Sequence, residues 1–229
     1  MSEDRKVMRY VFYQIDPQWR HLPHEERVLH KKEFAEALAD SPVEVHSYST
    51  VGLRADSEIA LWQLSDSAES IQQLQARLNG TRLGAWLRTT YSYLATTKKS
   101  QYLKGHTHEG QEFDLPAGPV GKSYLFVYPL DKQRRWYSLA YEERRRIMGG
   151  HFKVGHRYPD ISIHTGYSFG IDDQEFVVAF EGESIGEFLD LVQELRESES
   201  SAYTSRDVPI FTCIKMPIED VLDQLGGVK

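Results

Sequence analysis

Trp19–Arg27 reads WRHLPHEER and Trp136–Arg144 reads WYSLAYEER, so one short string with the same aromatic start and the same Glu-Glu-Arg close returns after 117 residues. The flanking segments follow it in order. VFY at Val11–Tyr13 answers FVY at Phe126–Tyr128, and TVGLRADSEIALW at Thr50–Trp62 answers SFGIDDQEFVVAF at Ser168–Phe180. Collinear matches at nearly constant spacing are the mark of an internal duplication.

Each copy has the pattern strand, helix, strand, strand, helix, strand. In the first, an apolar aromatic run at Tyr10–Ile15 precedes a helix at His24–Asp40, with Val28, Phe34, Ala35 and Leu38 at helical spacing. Strands are expected at Val43–Val51, Glu58–Leu64 and Thr89–Thr97. A helix carrying Ile71, Leu74 and Leu78 starts at the N-cap candidates Ser65–Ser67 and stops at Asn79-Gly80. In the second copy the strands fall at Ser123–Tyr128, Asp160–Ser168, Glu175–Glu181 and Asp207–Met216. The helices fall at Ala140–His151 and Ile185–Glu197, the latter with Ile185, Phe188, Leu189, Val192 and Leu195 turned inward. Residues 98–120, rich in Gly, Pro, Lys and His, have no apolar period and read as a linker between halves 1–97 and 121–229. The fold expected is α+β: duplicated ferredoxin-like βαββαβ units forming a dimeric α+β barrel-type pair, with two antiparallel sheets face to face and helices outside.

A chain of 229 residues with 40% apolar and 27% charged side chains has enough material for a packed core. Its 27 Lys and Arg against 34 Asp and Glu give a formal charge of -7, which argues against a nucleic-acid or anionic-membrane partner. The opening MSEDRKVMRYVFYQ lacks the apolar centre of a signal peptide, and no later run approaches a membrane span; a cytoplasmic protein is expected. The single cysteine, Cys213, excludes an internal disulfide and a C-x-x-C pair.

Histidine is the informative residue. His106, His108, His151, His156 and His164 all fall between Gly105 and Thr165. His151 follows Ile147 by one helical turn, which puts it on the apolar face; it is a core histidine bonded to the backbone or a metal or haem ligand. In DISIHTGYS, Ile161 and Ile163 point to one side of a strand and Ser162 and His164 to the other, so His164 lies on a polar sheet face or a subunit contact. Tyr128 closes an apolar strand just before Pro129, with Lys132 beyond it. No nucleophile elbow, phosphate loop or H-E-x-x-H is present.

Three strings carry a family likeness: YLFVYPLDKQRRWYSLAYEERRRIMGGHFKVGHRY, FGIDDQEFVVAFE and LRESESSAYTSRDVPIFTC. Together they resemble the chlorite dismutase family, and within it the coproheme decarboxylases, over nearly the whole chain. The resemblance implies a haem enzyme whose iron porphyrin, Fe-coproporphyrin III or haem b, takes His151 as its axial iron ligand. It places Trp136 beside the porphyrin, Glu199 as the carboxylate that orients the ligand imidazole, Tyr128 as the redox tyrosine and Lys132 on a propionate. It also implies a homo-oligomeric ring, most often a pentamer.

One departure bears on chemistry. Thirteen residues after the axial histidine the chlorite dismutases carry an arginine; His164 stands there in this chain, and loss of the fixed guanidinium argues against chlorite dismutation. His106, in KGH, resembles a distal histidine of the actinobacterial decarboxylases, so His164 and His106 both stand for the distal base. The activity implied is hydrogen peroxide-dependent decarboxylation of coproheme to haem b. In it the distal imidazole takes a proton from peroxide, and a radical on Tyr128 attacks a propionate near Lys132. The alternatives are a haem b peroxidase of the chlorite dismutase type, a haem-binding module without turnover, and a cofactor-free oxygenase of the same fold.

Overall fold

The computed structural model describes residues 5–102 and 118–226. It divides into two compact units, Met1–Thr96 with Phe211–Lys229, and Thr97–Ile210. Both are βαββαβ, as the repeat predicts.

The first unit runs β1 (Val7–Ile15), α1 (His24–Ala39), β2 (Glu44–Ser49), β3 (Ile59–Ser65), α2 (Ala68–Asn79) and β4 (Leu87–Thr97). Its sheet has the antiparallel order β4-β1-β3-β2, with Tyr10 opposite both Trp62 and Tyr93. Alternation along β1 sends Val11, Tyr13 and Ile15 toward the helices, where they meet Trp19, Phe34, Leu38, Ile71 and Leu74. Ser67 caps α2 by accepting from the Ser70 backbone N–H at 3.2 Å. The inward face of α1 differs from the one expected. Val28 is 44% exposed, whereas His30 and Lys31 are buried, because His30 Nδ1 meets Trp19 Nε1 at 3.2 Å and Lys31 pairs with Asp223 at 2.5 Å.

The second unit runs β5 (Tyr124–Lys132), α3 (Arg134–Ser138), α4 (Tyr141–Gly155), β6 (Ser162–Tyr167), β7 (Phe176–Gly182), α5 (Ile185–Glu197), a 3-10 turn (Glu199–Tyr203) and β8 (Thr204–Arg206). Its sheet order is β8-β5-β7-β6. Phe126, Tyr128, Phe180, Ile163 and Val178 face the helices and meet Phe188 and Leu191 of α5 and Val154 of α4. Leu189 is 57% exposed, so the apolar stripe of α5 is narrower than its sequence suggests.

Of the expected strand at Asp207–Met216 only the part after Pro209 forms, and a short strand, β8, stands just before Asp207. Pro209 has no N–H for a ladder, and pairing stops at Arg206 and resumes at β9 (Phe211–Lys215). β9 joins the first unit beside β2, with Tyr48 opposite Lys215. The chain continues there into α6 (Ile218–Asp223), whose Val221 and Leu222, together with Leu225 beyond it, close over Trp19 and Phe34. Residues 211–226 therefore belong with the first unit, where the sequence reading placed them in the second half.

Candidate haem site in the second unit

His151 lies one turn before the end of α4, on the helix that covers the Tyr128 face of the sheet. Its Nδ1 is 3.2 Å from the Ser200 hydroxyl in the 3-10 turn. Burial lowers the imidazole pKa to about 4 and the positive charge of Lys132 adds to this, so the ring is neutral near pH 7. With Nδ1 engaged, Nε2 is the nitrogen left for a ligand.

Lys132, at the end of β5, holds the same turn from the other side. Its Nζ donates to the Ser200 carbonyl at 2.9 Å and to Thr204 Oγ1 at 3.2 Å, and sits 5.3 Å from the centre of the Trp136 ring. Burial brings its pKa down to about 8, against the pull of Glu175 and Asp207. Trp136 is buried in α3, 5.2 Å from Tyr203 and 6.4 Å from Tyr102 between ring centres. His151 and Lys132 thus meet at Ser200, and Trp136 lies against Lys132.

Tyr128 is buried, with its ring 5.9 Å from Phe180, and its hydroxyl makes no hydrogen bond among the described residues. Burial pushes the phenol far above its usual range, and the negative charge of Asp207 pushes the same way while Arg196 opposes it. Arg196 and Asp207 form an ion pair at 2.5 Å. Sequence reasoning missed both, since neither stands in a periodic pattern.

Two predicted residues sit elsewhere. Glu199 turns outward and takes both its oxygens to Arg146, at 2.8 and 2.9 Å; the neighbouring Ser200, not Glu199, is the hydrogen-bond partner of His151. Adjacent residues of a 3-10 turn point in different directions, and this turn sends the hydroxyl inward and the carboxylate to the guanidinium. His164 is 2% exposed and faces away from α4 and α5. It pairs with Ala179, whereas Thr165 pairs with Val178, which is opposite Tyr128, so strand alternation puts His164 and Tyr128 on opposite sides of the sheet. There its Nε2 meets the fully buried Glu181 at 2.9 Å, and Glu181 also accepts the backbone N–H groups of Val120 at 2.7 Å and Gly121 at 3.0 Å. Burial alone pushes the Glu181 carboxyl upward, but these hydrogen bonds overcome it and the pKa is lowered. His106 lies outside the described residues.

The donor set fits a single axial ligand to a porphyrin iron. Among the described residues no three His, Cys, Asp or Glu side chains converge on a point, and a single imidazole nitrogen such as His151 Nε2 is the kind of donor that a porphyrin iron takes. The two residues before it leave the helix surface open: a Cβ at Gly149 or Gly150 would meet nothing within 4 Å. A groove of about 430 Å³ opens between α4 and α5; Ile147, Gly150, Val154 and Ser198 line it together with the charged Arg146, Arg157, Glu194, Glu197 and Glu199, and His151 is not among its lining residues.

A family profile described as chlorite dismutase matches residues 18–216. The chain belongs to the chlorite dismutase family. A coproheme decarboxylase from Staphylococcus carnosus is 30% identical, with 84% of each chain covered. One from Mycolicibacterium smegmatis is 29% identical over 78% of this chain and 75% of the relative. Among solved structures, a mutant chlorite dismutase from Candidatus Nitrospira defluvii in complex with cyanide superposes with a TM-score of 0.89. It is 24% identical, covers 96% of this chain and 95% of that one, and is similar in fold. Among the described residues of this family member, no helix is long and apolar enough to cross a membrane.

Proposed function

We propose that this chain binds ferric coproheme on His151 and, with hydrogen peroxide, decarboxylates two propionates to give haem b. Each round consumes one peroxide, releases carbon dioxide and two waters, and leaves a vinyl group. What carries the reading is the half-buried neutral imidazole of His151, bonded at Nδ1 and set on the helix that covers the Tyr128 face of the sheet. The iron porphyrin, which is also the substrate, supplies the redox chemistry when bound.

The chain's own residues divide the remaining work. His151 Nε2 holds the iron from one side. Lys132 spends two of its three N–H donors on Ser200 and Thr204, and the third is free to hold a propionate carboxylate. Trp136 packs under the Lys132 ammonium and fixes its direction. Tyr128 keeps its phenol proton at every working pH, so its oxidation would have to pass that proton, along with the electron, to the bound substrate. The distal base falls to His106, because His164 is turned to the far face of the sheet and committed to Glu181. The ring-shaped assembly implied by the resemblance belongs to the same reading, and native mass measures it.

Ferric coproporphyrin III added to the purified apoprotein, followed by titrated peroxide, tests the reading directly. The expected result is a shifted Soret band and two successive mass losses of formic acid, by way of a monopropionate. Binding without a mass change would leave a haem protein of other activity; no binding would sink the proposal.

A further inference from the structure

The hydrogen bonds behind His151 have a direction that proton counting settles. The Leu195 carbonyl can only accept, so the Ser198 hydroxyl, 2.6 Å away, donates its single proton there. Ser198 Oγ is also 3.0 Å from Ser200 Oγ, and with its own proton spent it accepts from Ser200. Ser200 then has no proton left for His151 Nδ1 at 3.2 Å, so the ring nitrogen carries the hydrogen and donates to Ser200. The Ser200 carbonyl is pinned at the same time by Lys132, which fixes the turn that presents the hydroxyl.

We propose that Ser198 and Ser200 form a one-way relay, ending on the last turn of α5, that locks His151 in its Nδ1–H tautomer. Nε2 then presents its lone pair before any porphyrin arrives. Both serines are positioning residues: neither needs to touch the porphyrin. The relay deepens the haem reading, since that reading names the ligand that Nε2 receives. It also gives the ligand imidazole a neutral hydroxyl partner, while the neighbouring carboxylate of Glu199 is held by Arg146. A neutral partner withdraws less of the Nδ1 proton than a carboxylate does, so the imidazole is a weaker electron donor to iron.

The tautomer is measurable in the apoprotein, which separates this inference from the haem reading. Ring-nitrogen NMR shifts of ¹⁵N-histidine-labelled protein at pH 8, with His151 assigned by the signal lost in His151→Phe, are expected to show Nδ1–H. Free histidine side chains prefer the other tautomer. The decisive variant is Ser198→Ala, which touches the ring nowhere. It frees the Ser200 proton to point at Nδ1 and is expected to swing His151 to Nε2–H. Ser200→Thr keeps the hydroxyl and is expected to restore Nδ1–H. Indole N–H signals in the same samples report whether each variant is folded; if Ser198→Ala does not fold, Ser198→Thr and Ser200→Ala bracket the same step from either end, the first retaining Nδ1–H and the second losing it. An Nε2–H signal in the parent protein, or a folded Ser198→Ala variant that keeps Nδ1–H, would overturn the relay. An Nδ1–H signal in a protein that binds no porphyrin would uphold the relay and remove the haem reading instead.

Discussion

Shifted by 117 residues, His151 of the second unit falls on Phe34 of the first, and the two units treat that position in opposite ways. Phe34 is fully buried among Trp19, Leu38, Val221 and Leu222, with α6 laid over it. His151 has a hydroxyl partner and a neighbouring ammonium instead. The tyrosines at the ends of the matched VFY and FVY strings differ likewise. The Tyr13 hydroxyl donates to Gln75 at 2.6 Å, while the Tyr128 hydroxyl has no such partner among the described residues. Both tyrosines face the helices of their own unit. A duplicated scaffold thus closes this position by packing in one half and keeps a polar group there in the other, where function can use it.

Exchanging the residues between halves gives the largest expected effects. His151→Phe, which copies the first unit into the second, is expected to leave the fold intact while ferric coproheme affinity falls more than about 100-fold and turnover is lost. Phe34→Ala is expected to cost about 3–5 kcal/mol of stability through the cavity it leaves, with turnover per folded molecule unchanged. Soret titration and chemical denaturation on both variants separate the outcomes. A His151→Phe protein that still binds porphyrin at full strength would erase the contrast between the halves.

The tyrosines sharpen the contrast at a smaller scale. Tyr128→Phe removes a hydroxyl that makes no hydrogen bond, so it is expected to change stability by less than about 0.5 kcal/mol while stopping propionate loss. Tyr13→Phe breaks the bond to Gln75 and is expected to cost about 1 kcal/mol with decarboxylation untouched. Product analysis by mass, run beside denaturant melts, reads both. Decarboxylation at the parent rate in Tyr128→Phe would take the tyrosine out of the proposed chemistry.

The shared architecture was legible in the sequence because it is written in periodicities and in the repeat itself: strand alternation, helical spacing and the Ser67 cap. Alternation also gave the side of β6 on which His164 lies, but its partner Glu181 is seventeen residues away on another strand, and only pairing brings them together. The exchange between Glu199 and Ser200 was hidden for a different reason. Both stand in a five-residue 3-10 turn, too short for any period, and Arg146 on α4 claims the carboxylate from across the fold. The placement of β9 and α6 was hidden too, since Pro209 interrupts what reads as one strand and nothing local says that the piece beyond it pairs with β2.

The smallest expected effect is a pH dependence that the first unit lacks. Lys132 falls on Ile15 at the 117-residue shift and on Pro17 at the 115-residue shift that matches VFY to FVY, so the ammonium belongs to the second half alone. Burial lowers the Lys132 pKa from 10.5 to about 8, so between these values the unfolded chain binds more protons than the folded one. This term therefore makes stability rise with pH from about 8 to 10.5, and below pH 8 keeping the buried ammonium charged works against the fold. Coproheme binding is expected to run the opposite way. A propionate beside Nζ favours the charged form, so affinity is highest below pH 8 and weakens as the lysine loses its proton, by a few-fold for one partly screened pair. Lys132→Met, near in length but without charge, is expected to flatten both curves between pH 7 and 10. If the affinity curve keeps its slope in that variant, the propionate is held by another group, and the contrast between the halves rests on His151 and Tyr128 without the lysine.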